Sequence, residues 1–220
     1  MMASYYTSDM RTLLGRLLLL VQLAAIALAA APAFAQAPDR VIVAFGDSLT
    51  SGHGVPADQT YPALLGARLR REGYPYRVVN AGVSGDTTAG GLRRVDWALR
   101  LKPEIVILEL GVNDALRGQN LASVRGNLDQ LVMRFQTAGA RVLVAGMRLP
   151  PNYGTPYADD FHRLFSEVAR ARNAPYLPFF LEGVGAIPRL NQPDGIHPTA
   201  EGYAIVVDNL WPFLVPLLRK

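Results

Sequence analysis

The chain predicts a three-layer α/β/α domain, with a five-stranded parallel sheet between two layers of helices. Two patterns carry that expectation. Val41 to Phe45, Ile105 to Leu108 and Val142 to Ala145 are unbroken apolar runs rather than alternating ones. Such runs mark strands buried on both faces, as helix-covered parallel strands are. Between the strands lie stretches whose apolar residues recur at helical spacing, so strand and helix alternate along the chain.

The first strand, Val41 to Phe45, ends at Gly46. Tyr61 to Arg71 predicts a helix, with Pro62 near its start and Gly73 beyond its end. Arg77 to Val79 is a short second strand, and Gly90 to Leu101 reads as the next helix. Ile105 to Leu108 is the third strand. Leu121, Val124, Leu128, Leu131, Val132 and Phe135 then keep a helical period until Gly139 stops it. Val142 to Ala145 is the fourth strand. Thr155 and Pro156 open a helix that places Tyr157, Phe161, Leu164, Phe165 and Val168 on one face. Tyr176 and Leu177 make a short fifth strand. A last helix is expected from Pro198 to Leu218, bent at Pro212. No internal repeat or long linker interrupts this series. The expected strand order is the flavodoxin-like 2-1-3-4-5.

The chain has 220 residues, 50% of them hydrophobic, enough for one domain with a full core. The first 35 residues read as a targeting segment. Arg11 and Arg16 precede the apolar run Leu17 to Ala31, and Ala33-Phe34-Ala35 has the small-x-small form of a cleavage site. The run is shorter than the roughly 20 residues a spanning helix needs. We expect residues 1–35 to be a signal peptide, residues 36–220 to be the domain, and no stable membrane insertion after cleavage. The expected location is the periplasm or the medium. There is no cysteine, which excludes disulfides, a leader-cysteine lipid, a thiol nucleophile and thiolate metal sites. The net charge of +4 is spread over scattered arginines, including Arg68, Arg70, Arg71, Arg93, Arg94 and Arg100. No basic-aromatic motif accompanies them, so they read as a solvated surface and no nucleic-acid partner is expected.

Ligands of such sheets bind beyond the carboxyl ends of the strands, where the strand order reverses. Polar residues cluster there. After the first strand comes Gly46-Asp47-Ser48-Leu49; after the second, Asn80 to Thr87 with Gly85; after the third, Glu109 to Asp114 with Asn113; well after the fifth, Asp194-Gly195-Ile196-His197-Pro198. With adjacent strands about 4.8 Å apart, Ser48 lies between Gly85 and Asn113. A hydroxyl flanked by amide donors suits acyl transfer. Ser48 is the expected nucleophile, His197 the base that activates it, and Asp194 the carboxylate that orients the imidazole. The N–H groups of Ser48 and Gly85 and the side-chain amide of Asn113 are the expected oxyanion donors, with Gly85 leaving room for close approach. Pro198 suits the first position of the last helix. The fifth strand lies roughly 14 Å from the first at normal spacing, so Phe179 to His197 must fold back over the sheet. Singly, each block has a plainer reading: a strand-to-turn segment, a glycine loop, a helix cap, an exposed carboxylate–histidine pair.

In these blocks the chain resembles the SGNH (GDSL) hydrolase superfamily. Gly46-Asp47-Ser48-Leu49, Gly85, Gly111-Val112-Asn113-Asp114 and Asp194-x-x-His197 match its four blocks. Ser84 to Thr87, Asn113 to Gly118, Arg148 to Gly154 and Leu177 to Phe180 look like its branch of acyl-CoA thioesterase I, arylesterase and lysophospholipase enzymes, and the likeness extends from Val41 onward. It implies a periplasmic or secreted enzyme acting on esters and thioesters through an acyl-enzyme on Ser48. Val112 stands where relatives often carry a second glycine. No Gly-x-Ser-x-Gly elbow occurs. Leu149, Pro150 and Tyr153 are expected to wall the acyl chain of a small-molecule ester or thioester. No cofactor is expected. No metal is expected either, because His53 and His162 have no partner at ligand spacing along the chain; His53 is placed at the site mouth and His162 on a helix surface. The rival readings are a carbohydrate deacetylase of the same superfamily and a non-enzymatic flavodoxin-like ligand-binding module.

Overall fold

A computed structural model describes residues 40–220; the expected leader lies outside the described residues. Five parallel strands, β1 (Arg40–Gly46), β2 (Tyr76–Gly82), β3 (Ile105–Glu109), β4 (Arg141–Ala145) and β5 (Tyr176–Leu177), form one sheet in the order β2-β1-β3-β4-β5. The helices are α1 (Ser48–Ser51), α2 (Tyr61–Arg71), α3 (Thr88–Leu99), α4 (Val112–Leu116), α5 (Leu121–Thr137), α6 (Thr155–Ala171) and α7 (Ala200–Leu214). α2 packs with α7, whereas α5 packs with both α3 and α6, covering the two sides of the sheet. Every residue of β3 is buried, and so are Val41 to Gly46 of β1, which explains why their sequences are continuously apolar. Among the described residues no helix is long and apolar enough to cross a membrane.

Several boundaries move for identifiable reasons. α3 begins at Thr88 rather than Gly90, because the Thr87 hydroxyl caps it by accepting from Gly90 N–H at 3.1 Å. The last helix begins at Ala200, with Thr199 as its cap, so Pro198 lies before the helix and not at its first position. Pro198 instead pairs with Asn191 in an isolated antiparallel bridge. Pro212 sits inside α7, and the final residues Val215–Leu217 tighten into a 3-10 turn. α1 and α4 are single short turns that follow β1 and β3 directly. Their sequences are too short for any periodicity to reveal.

The register places the site. Gly46 at the end of β1 is level with Gly82 of β2 on one side and Glu109 of β3 on the other. The chain leaves all three strands at one level, and α1 starts two residues later. Gly82 is required there by close approach. A Cβ on it would lie 2.1 Å from the Ser51 nitrogen and 2.6 Å from the Thr50 carbonyl carbon, both backbone atoms of α1.

Candidate active site

Ser48 is the first residue of α1, half-buried at the carboxyl end of the sheet. Its turn is fastened from below. The Asp47 carboxylate caps α1 by accepting from Leu49 N–H at 3.0 Å, and it accepts from the Asn113 side-chain amide at 3.0 Å. Glu109, the last residue of β3, accepts from the Thr50 hydroxyl at 2.8 Å and from Asp47 N–H at 3.3 Å. Asp47 and Glu109 are both fully buried. Burial raises the Asp47 carboxyl to about 6, against the opposing pull of the Leu49 N–H. Burial and then the neighbouring Asp47 charge push Glu109 well above the usual carboxyl range. Burial thus disfavours the charge on both carboxyls, while the Leu49 and Asn113 donors favour it on Asp47.

His197 lies 149 residues further on, yet its Nε2 is 2.9 Å from Ser48 Oγ. Its Nδ1 is 2.7 Å from Asp194 Oδ2, and Asp194 Oδ1 accepts from the Ile196 and His197 N–H groups at 3.0 and 3.1 Å. Burial tends to raise the Asp194 carboxyl, but the Ile196 N–H, the His197 ring and the His197 N–H outweigh it and hold it at about 2. Asp194 is thus an anion across the neutral range. An anion on Nδ1 fixes the tautomer that leaves the Nε2 lone pair facing Ser48.

The return of the chain from β5 to β1 is achieved by a braced loop. Asn191 donates to the Val184 and Ile187 carbonyls at 2.7 and 2.9 Å. The Gln192 N–H donates to the His197 carbonyl at 2.7 Å. The Gln192 side-chain amide donates to the His53 carbonyl at 2.7 Å and to the Pro198 carbonyl at 3.0 Å. One side chain therefore ties the turn after Ser48 to the loop bearing His197.

Of the expected oxyanion donors, Ser48 and Asn113 line one cavity at this end of the sheet, and Gly85 lies three residues beyond the end of β2. Asn113 lies in the first turn of α4 and lines the cavity beside Ser48 and His197. Asp47 takes one of its two amide hydrogens, which fixes the direction of the other. The Ser48 and Gly85 N–H groups have no backbone acceptor among the described residues. Gly85 has a φ of +75°, which favours glycine, and a Cβ on it would meet, among the protein's own atoms, only the Arg117 guanidinium at 3.8 Å. Asp114, next to Asn113, faces away from the site. It accepts from Thr88 N–H and Thr88 Oγ1 at 2.9 and 2.8 Å, holding the start of α3.

A cavity of about 360 Å³ opens beside Ser48 and His197. Leu49, Val112, Leu116, Met147, Phe179 and Leu181 line it, as do Leu149 and Pro150. Tyr153 does not. It closes a 3-10 turn through its N–H to the Pro150 carbonyl, and its ring packs on the hydrophobic core. Arg94 also departs from expectation. It is no solvated cation: its guanidinium lies 3.9 Å over the Phe45 ring and donates to Asp86, to the Ala81 carbonyl and to the Gly46 carbonyl. It clamps the ends of β1 and β2. His162 is half-buried with Nδ1 3.1 Å from the Met147 carbonyl, not free on a helix surface. His53 is exposed, and its ring packs against His197 with centroids 4.6 Å apart.

A serine, an imidazole and a carboxylate in relay, beside an apolar cavity at the topological switch point of a parallel sheet, define a serine-type hydrolase site. Residues 44–205 match the model of the GDSL-like lipase/acylhydrolase family, and the chain belongs to that family of esterases. It is 45% identical over 184 residues to esterase TesA of Pseudomonas aeruginosa, covering 83% of this chain and 92% of that protein. It is 36% identical over 186 residues to the Escherichia coli protein named thioesterase 1/protease 1/lysophospholipase, covering 84% and 88%. The crystal structure of TesA superposes with a TM-score of 0.79 at 44% identity, covering 81% of this chain and all of that one.

Proposed function

We propose that Ser48, His197 and Asp194 form the catalytic triad of an exported enzyme that cleaves carboxylic esters and acyl thioesters of apolar acyl chains. The observation that carries this is the relay Asp194–His197–Ser48, with contacts of 2.7 and 2.9 Å, opening onto an apolar cavity. Ser48 Oγ attacks the acyl carbonyl as its proton passes to His197 Nε2. The Ser48 and Gly85 N–H groups and the Asn113 amide receive the developing oxyanion. His197 then protonates the leaving alcohol or thiol, and water repeats the sequence to free Ser48. No step calls for a cofactor or a metal.

The lining by Leu49, Val112, Leu116, Met147, Phe179 and Leu181 favours an acyl chain over a sugar ring, which would need polar partners. The names of the relatives support both ester and thioester substrates, and Arg11 to Ala35 supports export to the periplasm or the medium. A fluorophosphonate probe should label Ser48 in folded protein. Ser48→Ala should lower turnover of p-nitrophenyl esters by about 10³-fold or more, with the melting temperature kept. Unlabelled folded protein, or a Ser48→Ala variant with full turnover, would refute the assignment. In a series of ester chain lengths, kcat/KM should rise from acetyl to longer acyl groups.

A further inference from the structure

We propose that His53, Asp194 and His197 form a binding site for one divalent cation of the zinc type, which switches the enzyme off when filled. One ligand atom from each of the three residues can be chosen so that all lie within 4.8 Å of one another. Zinc takes imidazole nitrogen and carboxylate oxygen at about 2.0–2.2 Å, which puts tetrahedral ligands about 3.4 Å apart. The widest-spaced pair must therefore draw in by up to about 1.4 Å, within reach of ordinary side-chain rotation.

His53 is positioned for this through its backbone. Its N–H donates to the Ser48 carbonyl at 3.1 Å, and its carbonyl receives the Gln192 amide at 2.7 Å. The residue is thus pinned to both halves of the site, while its imidazole stays exposed to solvent. Asp194 is 39% exposed at its side chain, so an ion reaches it without opening the fold. Two imidazoles and one carboxylate favour zinc and its neighbours in the first transition row; magnesium and calcium prefer all-oxygen sites. The proposed reaction itself calls for no metal. A metal on His197 Nε2 takes the lone pair that accepts the Ser48 proton. A metal on Nδ1 displaces the bond to Asp194. Either way the imidazole ceases to act as base, and ester turnover stops without any covalent change.

Inhibition rests on His197 acting as the base, whereas binding does not, so the test reads the two separately. Zinc chloride is titrated calorimetrically into Ser48→Ala protein, and in parallel against p-nitrophenyl ester turnover by the parent enzyme in a buffer that does not chelate. The expected result is one zinc per chain, with turnover falling at least tenfold and returning on addition of EDTA, and no loss with magnesium at the same concentration. His53→Ala, and His53→Phe which keeps a ring against His197, should each need at least about tenfold more zinc for half-inhibition, a change of about 1.4 kcal/mol in binding. Absence of zinc binding, or equal zinc sensitivity in both His53 variants, overturns the site. Zinc bound through His53 without loss of turnover upholds the ion site but overturns its action as a switch, and counts against His197 as the base.

Discussion

Ser48 and His197 meet at 2.9 Å, yet the two halves of the site are held by different means. The serine half is part of the sheet. Its turn follows β1 directly, rests on the buried Asp47 and Glu109, and is clamped by Arg94 across the ends of two strands. The histidine half is a loop that crosses three strand positions and is held at Asn191, Gln192 and the Asn191–Pro198 bridge. Steric fit decides the first half. A few hydrogen bonds, mostly from side chains to carbonyls, decide the second. Damage to the serine half should therefore appear as lost stability, and damage to the histidine half as lost rate.

The sharpest break of that contrast is Gly82→Ala. Its methyl would lie against α1 backbone atoms that cannot yield without moving Ser48. We expect a loss of about 3 kcal/mol in urea unfolding, together with most of the ester turnover. Gly85→Ala is the control, since its Cβ meets only the Arg117 guanidinium at an ordinary contact distance and its cost is the positive φ, about 1–2 kcal/mol. Equal losses at the two positions would mean that packing against α1 is not the constraint.

On the histidine half the corresponding change is Gln192→Glu, which keeps the size and shape but removes the donors to the His53 and Pro198 carbonyls. Gln192 is a positioning residue, so its loss should misplace the imidazole rather than the substrate. We expect kcat to fall by about 10²-fold with KM within about twofold, and Gln192→Ala to do the same. The midpoint of thermal unfolding should move far less than in Gly82→Ala. A raised KM with kcat intact would assign Gln192 to substrate binding instead.

These contrasts also show what was legible in the sequence. The five strands, their order and the four polar blocks could be read because each depends on local signals: continuous apolar runs, helical spacing, and polar residues just past a strand end. Ser48, Gly85, Asn113, Asp194 and His197 stand out on that basis, and of these Ser48, Asn113 and His197 line one cavity, with Asp194 bonded to His197. Glu109 and Asp114 stand in one of those blocks, but their roles did not show, and Arg94 and Gln192 were not marked at all, since each of the four also acts on atoms more than 25 positions away. His53 is the same case from the other side: it has no partner at ligand spacing, and the fold supplies two from a segment about 140 residues on. Tyr153 was misplaced because a single 3-10 turn redirects its side chain from the cavity to the core.

The smallest expected effect tests the buried carboxyl pair, and its sign is set by the direction of the Glu109 shift. A carboxyl raised on folding binds its proton more tightly in the native state. Its stabilising contribution is complete at pH values below the unfolded value of 4.5 and is lost as pH climbs towards the folded value. Glu109→Gln cannot titrate, while its side-chain oxygen still accepts from Thr50. Relative to the parent, the variant should therefore gain stability as pH rises above about 4.5, by about 1 kcal/mol at pH 8 in urea midpoints. Asp47, raised to about 6, titrates in the same window in both proteins, so the difference reads the pair and not Glu109 alone, whereas Asp194 does not enter it. Its carboxyl is lowered to about 2, so its contribution is present above the ordinary value of 3.8 and is lost only as pH falls below it, outside this window and equally in both proteins. A difference between parent and variant that stays flat from pH 4 to 8 would mean that Glu109 is ionised in the native protein, and that the charge under the Ser48 turn is shared rather than confined to Asp47.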